Sequence, residues 1–212
     1  MIILSVSYYL RFNLSYRDVQ EMLSDRGIDV CYSTIQRWVK EYGPILYHVW
    51  KKKNKNASSH WKMDETYIKI KGKWHYLYRA IDSQGMTLDI WLRRKRDSKS
   101  AYAFFNRLLK QFGAPRVIVT DKAPSILAAF IKLQKQGKYK KTEHRRIKFL
   151  NNLIEQDHRK IKMRSQSYKS FRSASATIKG MEVIHALYKK HRTEGNLFRF
   201  SALTEMKNLL AA

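Results

Sequence analysis

Apolar positions recur at helical spacing over the opening of the chain and at every second residue after Trp61, so the period itself changes partway along. Within residues 1–14, Ile2, Ile3, Val6, Tyr9 and Leu10 read as the end of a helix. Residues 15–43 predict two short helices joined by a tight turn. Ser15 with Asp18 forms a capping-box pattern ahead of Val19, Met22 and Leu23, and Arg26-Gly27 closes that helix. Ser33 with Gln36 opens the second, whose buried face is Ile35, Trp38 and Val39, and Pro44 is expected to stop it. Cys31, in the turn, reads as a small buried residue.

Beyond Trp61 the alternation predicts three consecutive strands, WKMDETYIKI, KWHYLYRAID and MTLDIWLRRK, the last two separated by a Ser-Gln-Gly turn at 83–85. SKSAYAFFNRLLKQF (98–112) is an amphipathic helix with Ser98 as its N-cap, and RVIVTD is a short apolar strand ending on Asp121. PSILAAFIKLQKQ (124–136) is a helix with Pro124 in its first turn, HRRIKF a further short strand, and NNLIEQDHRKIKMR (151–164) a helix carrying Glu155. That order predicts an α/β domain with a mixed sheet, preceded by a small all-α helix-turn-helix domain. The expected boundaries are 1–43 for the helix-turn-helix, 44–60 for a basic linker containing KKKNKNASSH, and 61–164 for the α/β domain. A helical extension over 165–212, with Ile178, Met181, Ile184 and Leu187 on one side, is expected to pack on the α/β domain.

Charge then narrows the partner. The 212 residues hold 43 Lys+Arg against 17 Asp+Glu, a formal net charge of +26. The excess is spread over Lys51–Lys53, Arg93–Arg96, Lys138–Lys148 and Arg159–Arg172, which suits a phosphate backbone rather than a single tail. At 44 % hydrophobic and 13 % aromatic the chain can bury a core, which excludes a disordered basic tail. No apolar run approaches the ~20 residues that span a bilayer, and neither a lipidation motif nor a secretion signal is present, so no membrane partner is expected. The single cysteine excludes a disulfide framework and fits a reducing cytoplasm. Double-stranded DNA is the expected partner, with Thr34, Gln36, Arg37 and Lys40, off the apolar face of the second helix, as candidates for base contact. The absence of a GxxxxGK[ST] loop and of a GxSxG elbow excludes the ATP-driven and serine-hydrolase classes.

Three carboxylates suggest chemistry. Asp64 lies within the first strand, Asp121 at the end of the fourth, and Glu155 in the helix that follows. Neighbouring first and fourth strands would join the two aspartates, and a crossing helix could supply the glutamate. Such a set would hold two divalent cations, Mg²⁺ by preference, against a phosphodiester. Lys162, two helical turns after Glu155, would face the same way and hold DNA beside them. Asp82, Asp89, Asp97 and Asp157 compete for the same role, Asp82 most seriously, while Glu65 should point to the opposite face of its strand. The alternative is that these acids simply pair with the abundant basic side chains. His144 and His158 read as structural or surface residues.

The phrases WKMDETYIKIKGKWHYLYRAID, LDIWLRRKRDSKSAYAFFNRLLKQFGAPRVIVTDKAPS and FLNNLIEQDHRKIKMR resemble the DDE transposases of the bacterial insertion-sequence-six family. SYRDVQEMLSDRGIDVCYSTIQRWVKEYGPIL resembles that family's helix-turn-helix. The resemblance implies an RNase H-like, retroviral-integrase-like catalytic domain with Asp64, Asp121 and Glu155 as catalytic and metal-holding triad, and Lys162 and Arg159 at DNA. It implies Mg²⁺, with Mn²⁺ able to take its place, and no nucleotide cofactor. The implied activity is binding of terminal inverted repeats, strand cleavage and transfer of a 3′-OH into target DNA, through replicative cointegrates. A homo-oligomer, dimer or higher, in the bacterial cytoplasm at the nucleoid is implied as well. Relatives carry an additional N-terminal stretch, and 135–148 is unusually basic. The former favours one rival, a truncated, inactive transposase acting as a DNA-binding regulator; a second, enzymatic alternative is a nuclease of the same fold that only hydrolyses.

Overall fold

The computed structural model describes residues 1–147, 152–193 and 201–211, and Lys148, Phe149 and Asn151 of the predicted strand and helix lie outside them. The chain divides into two compact units, Met1–Lys53 with Ser167–Ala212, and Asn54–Gln166.

The second unit is built on a five-stranded sheet. β1 (His60–Ile70), β2 (Lys73–Asp82) and β3 (Thr87–Arg93) form an antiparallel meander, and β4 (Val117–Thr120) and β5 (Glu143–Arg146) add in parallel on the far side of β1. The order is β3-β2-β1-β4-β5. β1 and β2 alternate because one face meets helices: Trp61, Met63, Tyr78 and Ala80 pack with Phe104 and Phe105 of α4 (Ser98–Phe112) and with Ile126 and Phe130 of α5 (Pro124–Lys135). α6 (Asn152–Met163) contacts β1 and β2, and its Asp157 pairs with Arg79, which alternates with Tyr78 and so projects from the opposite face. The four residues of β4 are all buried, as a central strand between two parallel-paired neighbours requires. α4 begins as expected, but its N-cap is Asp97, whose carboxylate accepts from the Ser100 N–H at 2.7 Å. Asp97 has the extended backbone that a cap needs, so Ser98 is already the first helical residue.

The helical unit contains α1 (Ile2–Arg11), α2 (Tyr16–Ser24), α3 (Tyr32–Lys53), α7 (Phe171–Thr193) and α8 (Ala202–Ala211). Ser15 and Asp18 close the reciprocal capping box of α2. Gly27, at φ +69°, ends that helix while the Ile28 N–H reaches back to the Leu23 carbonyl at 3.0 Å.

Three expectations are corrected here. Pro44 does not stop the second helix, which runs unbroken to Lys53, so residues 44–53 are not linker. Its buried stripe of Ile35, Val39, Gly43, Leu46, Tyr47 and Trp50 continues straight through the proline, and packing outweighs the one lost hydrogen bond. The C-terminal helices, expected on the α/β domain, belong to one compact unit with the N-terminal ones: α7 lies against α1 and α3, and α8 against α1, α3 and α7. Small residues make this possible, since a Cβ on Gly43 would meet the Ala176 carbonyl oxygen at 2.5 Å. Cys31 is exposed rather than buried, at the start of α3, with its Sγ 3.2 Å from Ser33 Oγ.

Candidate active site

Asp64 and Asp121 are brought together by strand register. β1 and β4 run parallel with His60 opposite Val117, Trp61 opposite Ile118 and Lys62 opposite Val119, and the same offset carried two residues on sets Asp64 beside Asp121. Asp121 lies one residue past the end of β4, where ligands of open α/β sheets collect. One carboxylate oxygen of Asp121 accepts from the Ala123 N–H at 3.0 Å, which fixes its side chain at the entry to α5. Thr120, just before it, is held by His144, with Thr120 Oγ1 and His144 Nε2 2.8 Å apart. Burial, helped by the Arg146 charge, pushes His144 down to about 4, so this ring stays neutral and serves structure, as its sequence context suggested.

Asp64 is the strained charge of the site. Burial pushes its carboxyl up to about 7; the Glu65 N–H opposes the shift, and the negative charges of Asp121, Glu65 and Glu155 add to it. Glu155 stands exposed on α6 and reaches Asp64 through charge. The ring of His158, one turn further along α6, is buried, and its Nδ1 lies 3.8 Å from Asp64 Oδ2. Among the described residues no three or more His, Cys, Asp or Glu side chains stand close enough to form a ready ligand set; Asp121 and the exposed Glu155 act on Asp64 through charge. The donor set nonetheless fits a divalent cation: the carboxylates are hard oxygen donors, and their mutual repulsion at Asp64 is what added positive charge would relieve.

The rival acids each have another partner. Both oxygens of Asp82 serve the 83–86 turn and its neighbour, accepting from the N–H groups of Met86 at 2.8 Å, Gln84 at 3.0 Å and Ser58 at 3.4 Å. Asp89 is fully buried against Arg107 at 2.9 Å, Asp97 caps α4, and Asp157 lies 3.5 Å from the fully buried Arg79.

Two residues of the site were not foreseen. Arg96, between β3 and α4, donates through Nε to Glu65 and lies 3.8 Å from Asp121 Oδ2, so it links an acid on one face of β1 to the aspartate at the end of β4. Burial raises the Glu65 carboxyl and Arg96 holds it back. In the sequence Arg96 is one member of a basic run, and nothing local separates it from Arg94 or Lys95. His158 had a usable signal: it follows Glu155 by three residues, which places both on one side of a helix.

The predicted DNA contacts fall on helices. Arg37 and Lys40 are exposed on α3, Thr34 and Gln36 half-buried, and Arg159 and Lys162 are exposed on α6. α2 packs against α3, and Gln20 of α2 accepts from the Tyr32 N–H at 3.1 Å where α3 begins.

A five-stranded sheet in this order, with an aspartate inside β1 and another at the end of its parallel neighbour, defines an RNase H-like catalytic core of the integrase kind. The family model of the DDE domain of IS240-type transposases matches residues 58–191. The transposase of the insertion sequence-like element IS431mec from Staphylococcus aureus is 56 % identical over 212 residues, covering 100 % of this chain and 95 % of its own. The transposase of insertion sequence element IS257 in transposon Tn4003, also from Staphylococcus aureus, matches at the same identity and coverage. Among solved structures, the HTLV-2 integrase catalytic core domain in complex with magnesium is similar with a TM-score of 0.48 and 19 % identity, over 60 % of this chain and 85 % of that one. The chain belongs to the DDE transposases, in the insertion-sequence-six family of IS431mec and IS257. Among the described residues no helix is long and apolar enough to cross a membrane.

Proposed function

We propose that this transposase binds the terminal inverted repeats of its element, cuts one strand to free a 3′-OH, and transfers that 3′-OH to a phosphodiester of target DNA, in the replicative, cointegrate-forming manner. Asp64, Asp121 and Glu155 are the catalytic residues, and they would hold Mg²⁺, or Mn²⁺ in its place. Bound there, the ions supply Lewis-acid stabilisation of the attacking and leaving oxygens. The chain's own part is positional. Asp121 is fixed by the Ala123 N–H, Asp64 by its strand, and Glu155 by a helix packed on β1 and β2. Arg159 and Lys162 hold the DNA backbone beside these acids, while Thr34, Gln36, Arg37 and Lys40 read the repeat in the major groove. No nucleotide cofactor is required, because a transesterification exchanges one phosphodiester for another. The protein works on paired ends as a dimer or larger homo-oligomer.

The observation that carries this reading is the parallel pairing of β1 with β4, which places Asp64, two residues past the last paired position, beside Asp121 just past the end of β4. The test is a strand-transfer assay on DNA bearing the element's repeats, with Mg²⁺ or with chelator, beside Asp121→Asn. Joined products that require metal and vanish in the variant, with repeat binding retained, are expected. Repeat binding without cutting or joining in the unaltered protein would overturn it in favour of a DNA-binding regulator; cutting without joining would leave a nuclease.

A further inference from the structure

The hairpin between β1 and β2 turns on Lys71-Gly72, with φ of +48° and +76°, and Ile70 pairs with Lys73 across it. Two positive φ values in a two-residue loop give the twist of a tight hairpin. Near its end stand two large aromatics that no core covers: Tyr67 is 45 % exposed and Trp74 57 %. The Tyr67 ring meets Trp74 at 6.1 Å and Tyr76 at 5.3 Å, both edge-on, so the three make one aromatic patch. Cations frame it. Lys69 Nζ lies 5.6 Å from the centre of the Trp74 ring, and the Arg96 guanidinium lies 5.7 Å from that of Tyr67 while donating to its hydroxyl at 2.7 Å. Lys71 and Lys73 are exposed at the turn. From Tyr67 to Tyr76 the chain has no acidic residue.

Exposed aromatics gathered in one patch mark an interaction surface. Every charged side chain of the hairpin from Tyr67 to Tyr76 is basic, which suits polyphosphate better than a mixed protein surface. Aromatic faces beside lysine and arginine are the components of a stacking platform for unpaired bases, the rings taking the bases and the cations the backbone. Location supports the same occupant. Arg96, which touches Tyr67, lies 3.8 Å from Asp121, so the patch begins one side chain from the candidate catalytic carboxylates.

We propose that Tyr67, Trp74 and Tyr76 form a stacking platform for unpaired bases of the DNA strand adjoining the scissile phosphate. The inference rests on the DNA-processing reading above. It adds a site that reads strand opening rather than sequence.

The test measures equilibrium binding of the full chain to three probes at one salt concentration: a blunt duplex carrying the repeat, the same duplex with a short unpaired extension, and that extension made abasic. The unaltered protein should prefer the extended probe over the other two. Trp74→Ala and Tyr67→Ala should each weaken binding of the extended probe by about tenfold while leaving the blunt duplex unchanged. Trp74→Phe, which keeps an aromatic face, should retain most of the preference. Equal binding of the natural and abasic extensions, or equal losses on blunt and extended probes, would overturn the platform and leave the patch to a protein partner. If the unaltered protein binds the blunt repeat and joins strands but shows no preference for the extension, the platform fails and the transposition reading stands. Failure to bind any of the probes would instead defeat the DNA reading itself.

Discussion

In the helical unit α3 and α7 meet through Gly43, Ala176 and Gly180, backbone against backbone, whereas the sheet unit buries Glu65, Arg79, Asp82, Asp89, Asp157 and Arg164 among its strands and helices. Among the described residues of the helical unit, Glu182 is the charged side chain buried to the same degree. The difference tracks the chemistry. A unit that only has to present a helix can pack small residues closely, and dispersion rewards the fit. A unit that must hold negative charge beside a sheet needs counter-charges in fixed places, and each buried ion is costly unless its partner stays. The first arrangement is sensitive to volume and the second to charge, and substitutions of each kind separate them.

The largest loss is expected at Asp157→Ala, which leaves Arg79, wholly enclosed, without the carboxylate 3.5 Å away. Breaking such a pair costs about 3–5 kcal/mol, read as the urea midpoint of the sheet unit. A shift under about 1 kcal/mol would mean that the other contacts of Arg79 suffice. Next comes pH. The Asp64 carboxyl is pushed up to about 7, against ~3.9 in an unfolded chain. Between those values the unfolded state has lost a proton that the folded state keeps, so stability falls as pH rises through the window and stays lower above it. At about 1.36 kcal/mol per unit the penalty is up to about 4 kcal/mol for the metal-free protein. Asp64→Asn removes it, so the variant should be the more stable protein above about pH 7 and the two should converge below pH ~4. Unfolding curves in chelator across pH check this, and parallel profiles would show that Asp64 titrates normally.

Volume is tested by Gly43→Ala. Alanine is worth about 1 kcal/mol over glycine inside a helix, yet the added carbon would sit 2.5 Å from a backbone oxygen that cannot swing aside. Overpacking costs about 1–3 kcal/mol, so a net loss of thermal stability is expected, and a gain would show that α7 can retreat. The smallest effect belongs to Ser15→Ala, which removes the α2 cap and should cost about 1 kcal/mol, visible as faster amide exchange in the first turn of α2.

The same contrast explains what could be read from the sequence. Alternation located β1 and β2 to within one residue and β3 to within two, because each strand has one face on the α4–α5 core, and periodicity reports burial directly. The paired aspartates were legible because both lie within recognisable strand phrases. Pro44 misled because a local rule was overruled by α7, a partner distant in sequence that rewards continuing the apolar stripe. Arg96 was invisible for a related reason: its importance comes from reaching both Glu65 and Asp121, contacts that only the folded sheet creates. In a chain with 43 basic residues, one more arginine carries no signal of its own.

The packing of α3 with α7 also bears on how the polypeptide matures on the ribosome. The whole sheet unit is encoded between these two helices, so α3 leaves the exit tunnel long before α7 is made. Domains fold as units while synthesis proceeds from the N-terminus, and long-range pairings close last. Asn54–Gln166 can therefore collapse around its own core while α1 to α3 still wait for α7, their apolar stripe open to chaperones. Within one molecule the catalytic core is born first, and the helical unit is completed only once α7 has been made.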